Sequence, residues 1–447
     1  MGMFTDLGME EVSPLPNINT GTLFDIATGA FEKGSDGNYL LNGGLPPIFG
    51  IVGRGGQYKS TIVDTFIAHL KKRYPEIEAW KHDTEQNVFT KKRFDIMAGQ
   101  EISQDIHLTN SAALPMDQML EELRKAGEYR LKHKKDLFRK TPFIDVTGKS
   151  RYAWIPMLMD IDSFSMLRTV SECMAAYSGK PLEDSSRNMD DMTDGRVKRK
   201  LMFDLSRWSF QYGIYFMLPA QISDKANINP YEPIKKQLQF LQNGDHIKGV
   251  GNQYAFLTNT LLQNTNPKPL IDSNKGPEYP NGGLGARDIN ELQSVVLRCK
   301  TAPSGTIIPF LVSQNGGILS DLTHYHYLKN SGDFGFIKKG HNRYLTILED
   351  VLLHRNSIIS TLETNYEASR AMELMAQFCW MHNNWNTLGS LVDIPATPEV
   401  FAEKLKKCST SMVSDILNSR GYWIFDGQKD ERPYMSLYDV FYEISKN

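Results

Sequence analysis

Residues 48–61 of this 447-residue chain hold the side chains whose types and spacing most clearly indicate chemistry. They read IFGIVGRGGQYKST: an apolar run, a glycine-rich turn, and then Lys59-Ser60-Thr61 at the start of an amphipathic stretch. In such a layout the backbone N–H groups of the turn and of the helix N-terminus surround phosphate oxygens. Lys59 supplies a positive charge, and Ser60 offers a hydroxyl to Mg²⁺. The segment therefore predicts a nucleotide phosphate site.

The segment departs at one position from the GxxxxGK[ST] pattern of phosphate-binding loops. Gly53 begins the pattern and Lys59-Ser60 ends it, but Tyr58 stands where the last glycine is expected. The alternative interpretation is a glycine-rich turn before an ordinary helix, although the order of strand, turn and helix favours phosphate binding. We expect nucleotide contacts from Gly53, Arg54, Gly55, Gly56, Gln57, Tyr58, Lys59, Ser60 and Thr61.

An acidic residue after the next apolar run is the candidate for catalysis. Glu85 closes the sequence Asp83-Thr84-Glu85, and a carboxylate at a strand end beside the phosphate turn can orient an attacking water. Asp83 lies two residues earlier and is a second candidate for the same role. The alternative for Glu85 is a solvated acid on a loop.

A second pair of acids competes for the role of magnesium ligand. Asp160 and Asp162 follow the apolar run Ile155–Met159, and side chains two residues apart in a strand point to the same face. The end of the apolar run favours Asp160, whereas the Asp162-Ser163 step favours Asp162. We expect Asp162, together with Ser60, to hold the metal, and Asp160 stays as the rival.

The elements that must position these residues alternate between strand and helix from about residue 46 to 330, which predicts a mostly parallel sheet covered on both faces. The predicted strands are Pro47–Val52, Ile77–His82, Ile106–Asn110, Tyr152–Asp160, Ile214–Pro219, Tyr254–Leu257, and an antiparallel pair, Leu292–Lys300 and Thr306–Val312. The predicted helices are Ser60–Tyr74, Met116–Lys135, Val197–Phe210, and then Leu345–Leu362, Tyr366–Asn384 and Pro398–Arg420.

The domain organisation follows from the same pattern: an N-terminal arm at 1–45, an α/β core at 46–335 and a smaller, mainly helical domain at 336–447. A net charge of −2 means that any nucleic-acid site must be a local basic surface. The 4 cysteines form no metal-binding cluster, and neither a membrane span nor a secretory signal is apparent. We expect an intracellular protein.

Several short motifs occur in the same order as in a known family. Tyr58-Lys59-Ser60, a helix ending Arg73-Tyr74-Pro75 and a strand ending Asp83-Thr84-Glu85 resemble phage UvsX-type recombinases, in which an aromatic residue precedes the loop lysine. Weaker matches to RecA proteins and their phage relatives lie in residues 41–45 (LNGGL), 159–164 (MDIDSF), 191–203 (DMTDGRVKRKLMF), 220–221 (AQ) and 298–303 (RCKTAP). The resemblance spans about residues 41–340.

This resemblance implies a RecA-like P-loop ATPase core that uses ATP and Mg²⁺. Gln221 would sense the γ-phosphate, and Arg298 and Lys300, which alternate on one strand face, would reach the ATP of a neighbouring subunit. The protein would form a helical filament on single-stranded DNA and pair it with homologous duplex DNA, helped by single-strand-binding and mediator proteins. Its place would be the host cytoplasm or a phage replication compartment.

Two long connections are expected to contact DNA, because connections longer than about 12–15 residues in a compact domain are usually functional or disordered. The first runs from Ser165 to about Lys200, and the second from Ile222 to about Asn252. Lysines interspersed with aromatics and glycines suit single-stranded DNA, although Val197–Phe210 also fits an amphipathic helix with a solvated basic face. The expected contacts are Arg196, Lys198, Arg199, Lys200, Lys225, Lys235, Lys236 and Lys248.

Two other functions share most of these residues. A hexameric replicative helicase of the same superfamily would have the same phosphate loop and acids, but the N-terminal arm is short for the extra domain that such helicases usually carry. A RecA-like scaffold that does not hydrolyse ATP would fit Tyr58, whereas Lys59, Ser60 and Glu85 speak for hydrolysis.

Overall fold

The computed structural model describes residues 14–85, 91–110, 114–170, 185–224, 236–242, 244–280, 288–340, 342–385 and 398–445. The helices in these ranges are α1 (Leu23–Thr28), α2 (Lys59–Arg73), α3 (Lys92–Ala98), α4 (Met116–Lys132), α5 (Lys134–Leu137), α6 (Ser185–Tyr212), α7 (Gly251–Leu257), α8 (Ser320–Asn330), α9 (Ile358–Thr364), α10 (Tyr366–Asn384), α11 (Pro398–Lys407), α12 (Thr410–Leu417) and α13 (Leu437–Ser445). Short 3-10 helices lie at Ser103–Asp105 and Phe164–Met166.

The strands in the described ranges are β1 (Ala30–Lys33), β2 (Tyr39–Asn42), β3 (Ile48–Gly53), β4 (Glu78–Asp83), β5 (Ile106–Asn110), β6 (Phe138–Ile144), β7 (Ser150–Trp154), β8 (Met157–Asp162), β9 (Ile214–Asp224), β10 (Asp245–Ile247), β11 (Thr260–Asn264), β12 (Lys268–Pro269), β13 (Asn290–Cys299), β14 (Ile307–Ser313), β15 (Gly317–Ile318), β16 (Phe336–Lys339), β17 (Asn342–Leu345) and β18 (Leu352–Leu353).

A large mixed sheet forms the centre of the molecule. Its main path runs β15-β14-β13-β11-β3-β9-β8-β4-β5, with β10 beside β9 and β12 beside β13. The strands from β11 to β5 along this path pair in parallel, whereas β13, β14 and β15 pair antiparallel. The predicted α/β class with a mostly parallel sheet is thereby confirmed.

Helices cover both faces of this sheet, as the central strand β3 illustrates. All residues of β3 are buried, and they alternate between two separate hydrophobic clusters. Phe49 and Ile51 pack in the cluster that contains α2, whereas Ile48 and Val52 pack in the cluster that contains residues of α4 and α6. Because side chains alternate across a strand, a strand buried on both faces is apolar at every position.

Several predicted elements are wrong. The segment Pro398–Arg420 is two helices, α11 and α12, which are separated at residues 408–409. Tyr254–Leu257 belongs to α7, and β11 is the strand that stands between β3 and β13; short buried apolar runs do not distinguish strand from helix. The segment Tyr152–Asp160 is two strands, because β7 pairs with β6 in a separate sheet before β8 begins. The segment Leu345–Leu362 is not one helix: Leu345 ends β17, and β18 and α9 follow.

The N- and C-terminal parts pack against the core. Every residue of α1 is buried, and its Phe24 contacts Phe49 of β3 and Phe66 of α2. Beyond β16–β18, which form a small antiparallel sheet, the C-terminal helices contribute to the same hydrophobic cluster as α2. The Tyr74 hydroxyl donates to the Trp423 carbonyl at 2.9 Å, and so fastens the end of α2 to this part. No helix in the described ranges has the length and apolarity of a membrane span.

Candidate nucleotide-binding site

The predicted site residues converge at one edge of the sheet. Strands β3, β9, β8 and β4 are successive neighbours and run parallel, so their carboxyl ends lie side by side. Gly53 at the end of β3 is in register with Gln221 of β9, and Asp162 at the end of β8 is in register with Asp83 of β4. In open α/β sheets, ligands bind outside the carboxyl ends of the strands. A ligand-binding site is therefore expected at this edge.

The glycine-rich turn (residues 54–58) links β3 to α2, and its inner side is held by hydrogen bonds. The buried Gln57 accepts from the Arg54 amide at 2.6 Å and donates to Asn266 at 2.7 Å, while Asn264 donates to the Gln57 carbonyl at 2.7 Å. On the outer side, a Cβ added to Gly55 or Gly56 would meet nothing within 4 Å. The turn is thus fixed from within and leaves room outside for a phosphate group.

Arg54 ties the same turn to the neighbouring strand pair. Its guanidinium binds Asp224, the last residue of β9, at 2.5 Å, and Asp245, the first residue of β10, at 2.7 Å. Asp245 also accepts from Gln263 of β11 at 2.6 Å. The turn and the β9–β10 pair are therefore joined by charge-assisted hydrogen bonds, which are stronger than neutral ones.

Tyr58 adopts the backbone conformation that a glycine would favour at its position. Its φ of 54° lies in the left-handed region, which costs a non-glycine residue roughly 1–2 kcal/mol. The Tyr58 hydroxyl accepts a hydrogen bond from Asn290 of β13 at 2.9 Å, which anchors the side chain. The departure from the glycine pattern therefore leaves a left-handed residue immediately before the helix.

Lys59, Ser60 and Thr61 form the first turn of α2, where backbone N–H groups have no acceptor within the helix. The Lys59 ammonium donates to the Arg54 carbonyl at 2.9 Å. Burial lowers the pKa of Lys59, and the charges of Asp162 and Glu85 partly oppose that shift. Lys59 therefore stands between the glycine-rich turn and two predicted site acids, Glu85 for catalysis and Asp162 for magnesium.

Glu85 and Gln221 are hydrogen-bonded to each other. The Gln221 side-chain amide donates to the Glu85 carboxylate at 2.9 Å, and Glu85 is exposed at the edge of the sheet. Asp83, the residue confusable with Glu85, is buried and accepts a hydrogen bond from the Glu85 backbone N–H at 3.0 Å. Of the two acids, Glu85 is the one that solvent reaches, so it is the better placed to act on a water molecule.

Asp160 and Asp162 share one buried partner, Lys81 of β4, and differ in depth. The Lys81 ammonium lies 2.7 Å from Asp160 and 3.1 Å from Asp162, and 3.0 Å from a third carboxylate, Asp64 of α2. The Asp160 side chain is 0% exposed and that of Asp162 is 8% exposed at the strand end. Asp162 is thus the outer acid beside Lys59, and the better placed of the two for a metal ion.

The charges of this buried cluster depend on one another. Burial disfavours the charged form of Lys81, but the three carboxylates hold its pKa well above its ordinary value. Burial raises the pKa values of Asp160 and Asp64, although Lys81 opposes both shifts. Burial alone would favour the neutral form of each group. Attraction to the three carboxylates is what keeps the Lys81 ammonium charged.

Lys81, Asp64 and Arg93 were not among the predicted site residues. Lys81 lies in a short predicted strand in which a lysine is ordinarily taken as solvent-exposed, and Asp64 lies on a helix whose polar residues are usually solvated. Arg93 of α3 donates to the Thr61 hydroxyl at 2.7 Å and lies 3.6 Å from Asp64.

The residues at this edge fit a nucleotide with magnesium. In the described parts of the chain, no group of three or more His, Cys, Asp or Glu side chains could hold a metal ion by itself. Mg²⁺ usually keeps several waters and takes one or two protein oxygens together with phosphate oxygens. Ser60 at the start of α2 and Asp162 at the end of β8 supply such oxygens beside the open side of the glycine-rich turn.

Arg298 and Lys300 lie away from this edge. Arg298 of β13 is in register with Leu261 near the start of β11, and the neighbouring Thr260 is in register with Phe49 near the start of β3. Arg298 donates to the Ala255 carbonyl at 3.1 Å, and Lys300 is exposed just beyond the strand. Within one chain they stand at the opposite edge of the sheet, so a contact with nucleotide requires a second copy.

The first predicted DNA-binding connection is helical in its second half, so the expectation of a loop up to Lys200 is wrong from Ser185 onward. Arg196, Arg199 and Lys200 are exposed on α6. Lys198 is buried and donates to the Ser165 carbonyl at 3.2 Å, which turns its ammonium towards the protein. Sequence reasoning missed further exposed residues at helical spacing with this basic face, namely Phe203, Arg207 and Phe210.

The second predicted connection begins within β9, contains β10 and reaches the first turn of α7. β9 continues to Asp224, and β10 pairs with it, so the connection is shorter than expected. Lys236 and Lys248 are exposed, and the Lys248 amide donates to the Gln221 carbonyl at 2.9 Å. Lys225 and Lys235 lie outside the described residues.

Comparison with known proteins adds no relative: neither a protein-family model nor a curated protein matches the chain. A function must therefore be inferred from the side chains at the carboxyl edge of the sheet and from the basic surfaces near it.

The buried cluster makes a stability prediction. Replacing Lys81 with methionine leaves three buried carboxylates without their ammonium, and removing one member of a buried ion pair costs about 3–5 kcal/mol. The control is Lys125→Met, which removes an exposed pair with Glu122 on α4 and should cost no more than about 1 kcal/mol. Urea unfolding of both variants measures the difference; equal midpoints would show that the Lys81 contacts contribute no net stability.

Proposed function

We propose that this protein is a DNA-dependent ATPase of the RecA class that acts as a strand-exchange recombinase. The observation that carries the proposal is the convergence of Lys59 and Ser60, Asp162, and the hydrogen-bonded pair Glu85–Gln221 at one sheet edge. Phosphoryl transfer requires mainly positioning and charge stabilisation, and these are the residue types that supply both.

Each residue at the edge has a role in this proposal. The glycine-rich turn and the first turn of α2 bind the phosphate groups of ATP, and Lys59 exchanges its bond with the Arg54 carbonyl for a phosphate oxygen. Ser60 and Asp162 hold Mg²⁺, which neutralises charge on the phosphate oxygens when it is bound. Glu85 accepts a hydrogen bond from the attacking water and orients it.

Gln221 gives the site a means of reporting the presence of the γ-phosphate. Its side-chain amide donates to Glu85, and its backbone carbonyl accepts from the backbone N–H of Lys248 on the β9–β10 side. The Gln221 backbone N–H donates to the Ser165 hydroxyl at 2.9 Å. That hydroxyl donates to the Lys248 carbonyl, and the Ser165 carbonyl accepts from the Lys198 ammonium. A shift of Gln221 towards a phosphate group would therefore move Ser165 and the backbone at Lys248, which lie in segments with predicted DNA contacts.

The proposed assembly follows from the two edges of the sheet. Arg298 and Lys300 stand at the edge opposite the nucleotide residues, so head-to-tail contact brings them towards the ATP of the next copy. A head-to-tail contact whose rotation does not close gives an open helical filament. Such a filament on single-stranded DNA would pair it with homologous duplex, with single-strand-binding and mediator proteins as further partners, in the host cytoplasm or a phage replication compartment.

The first prediction from the proposed function concerns ATP hydrolysis. Purified wild-type protein should hydrolyse ATP with strong stimulation by single-stranded DNA, and Lys59→Ala should lose about 100-fold or more in rate, since each charge-stabilising donor contributes about that much. The matched control is Lys125→Ala, a lysine on α4 outside the site, which should retain the wild-type rate.

No hydrolysis by the wild-type protein, with DNA binding intact, would contradict the enzyme and leave a scaffold. Hydrolysis by closed rings in negative-stain micrographs would favour the helicase instead of the recombinase.

The second prediction concerns the basic face of α6. In the double variant Arg196→Ala/Arg199→Ala, the slope of log affinity for single-stranded DNA against log salt should fall by about 1.4, because each phosphate contact contributes about 0.7. Fluorescence anisotropy over a salt series measures the slope. The control is Arg124→Ala/Lys125→Ala, which removes two exposed cations from α4. An equal slope in both double variants would exclude this face from DNA binding.

A further inference from the structure

Lys81 holds a position that stability alone does not explain. Its ammonium is almost fully buried and lies within 3.1 Å of carboxylates from two elements, Asp64 of α2 and both Asp160 and Asp162 of β8. Replacing a whole buried ion cluster with apolar residues of similar volume is often neutral or stabilising. Each charged group in such a cluster loses favourable contacts with water on folding. The cluster is therefore more readily explained by a side chain that it holds in place than by a gain in stability.

What Lys81 positions is the outermost acid. Asp162 is the member of the cluster at the strand end, and its charge acts on Lys59 of the glycine-rich turn. The Lys81 ammonium lies 3.1 Å from the Asp162 Oδ2 atom, which restricts rotation of that carboxylate. Lys81 itself comes from β4, the strand paired with β8, so its backbone is fixed by the sheet.

The other two acids have no comparable access to the edge. The Asp160 side chain is 0% exposed and that of Asp64 is 1% exposed, and both bind the same ammonium. Lys81 therefore compensates the inner carboxylates and restrains the outer one at the same time. A carboxylate that binds a metal is commonly oriented by a hydrogen-bond partner that does not itself touch the metal. Loss of that partner typically lowers metal affinity 10–100-fold.

We propose that Lys81 is a positioning residue for the metal site: it fixes Asp162 for magnesium and keeps Asp160 and Asp64 from competing for it. Lys81 touches neither nucleotide nor metal and acts through Asp162. This role rests on the proposed ATPase function.

The deciding variant separates positioning from charge. Three carboxylates and one ammonium carry a formal charge of −2, and Lys81→Met/Asp64→Asn keeps −2 on the two remaining carboxylates. Because one carboxylate, Asp64 of α2, is lost together with the ammonium, the double variant removes the hydrogen bond to Asp162 without adding negative charge. A change in magnesium dependence then reports the geometry of Asp162.

The experiment is a Mg²⁺ titration of ATP hydrolysis by the full chain, at saturating ATP and with single-stranded DNA. We expect the half-saturating Mg²⁺ concentration to rise about 10-fold or more in the double variant, with a smaller change in the KM for ATP at saturating Mg²⁺. The matched control is Lys71→Met: this buried lysine donates to the carbonyls of Pro75 and Ile77 near the other end of α2. It should lose stability and keep the wild-type Mg²⁺ dependence.

The outcomes separate the two proposals. A folded double variant with wild-type Mg²⁺ dependence overturns the role of Lys81 and leaves the ATPase intact, whereas a wild-type chain without Mg²⁺-dependent hydrolysis overturns the ATPase itself. An equal shift in Lys71→Met would show that lost stability explains the effect. If the double variant does not fold, Lys81→Gln/Asp64→Asn replaces it, with a shift of about threefold as the least that supports the proposal.

Discussion

Parallel pairing of β3, β9, β8 and β4 is the constraint on which the rest of the structure depends. It places Gly53 opposite Gln221 and Asp83 opposite Asp162, so residues far apart in the sequence end at one edge. Such a sheet must be covered on both faces, and the two hydrophobic clusters that meet at β3 provide the cover. The same burial that stabilises the strands leaves their ends as the natural place for polar side chains.

Some of the exceptions to this apolar interior lie beside the proposed site. Lys81 and Asp160 lie within strands rather than at their ends, and the Lys81 ammonium is paired with both Asp160 and Asp64. Tyr58 holds a left-handed backbone conformation immediately before α2. Local departures from ordinary folding rules tend to collect where a protein functions. Here Tyr58 is the last residue of the glycine-rich turn, and the Lys81 cluster includes Asp64 of α2, the helix that follows the turn.

The sequence predicted the order of elements better than their boundaries or their polar contacts. Strand periodicity and the glycine-rich turn were sufficient to place β3, α2 and the acids near the ends of β4 and β8. Tyr254–Leu257 was misassigned because a four-residue apolar run carries no decisive period. Lys81 and Asp64 were missed because their contact joins a strand and a helix 17 residues apart in sequence, and pairings of that kind depend on the fold.

Hydrogen exchange of backbone amides tests the nucleotide site most directly, since it reports binding at the glycine-rich turn without requiring turnover. With Mg²⁺ and a non-hydrolysable ATP analogue at about 100 times its Kd, amides of residues 54–61 should exchange up to about 100-fold more slowly if exchange requires ligand release. Lys59→Ala should abolish that protection. Unchanged exchange across residues 54–61 in a folded wild-type chain, at any analogue concentration, would contradict a nucleotide site at this edge of the sheet.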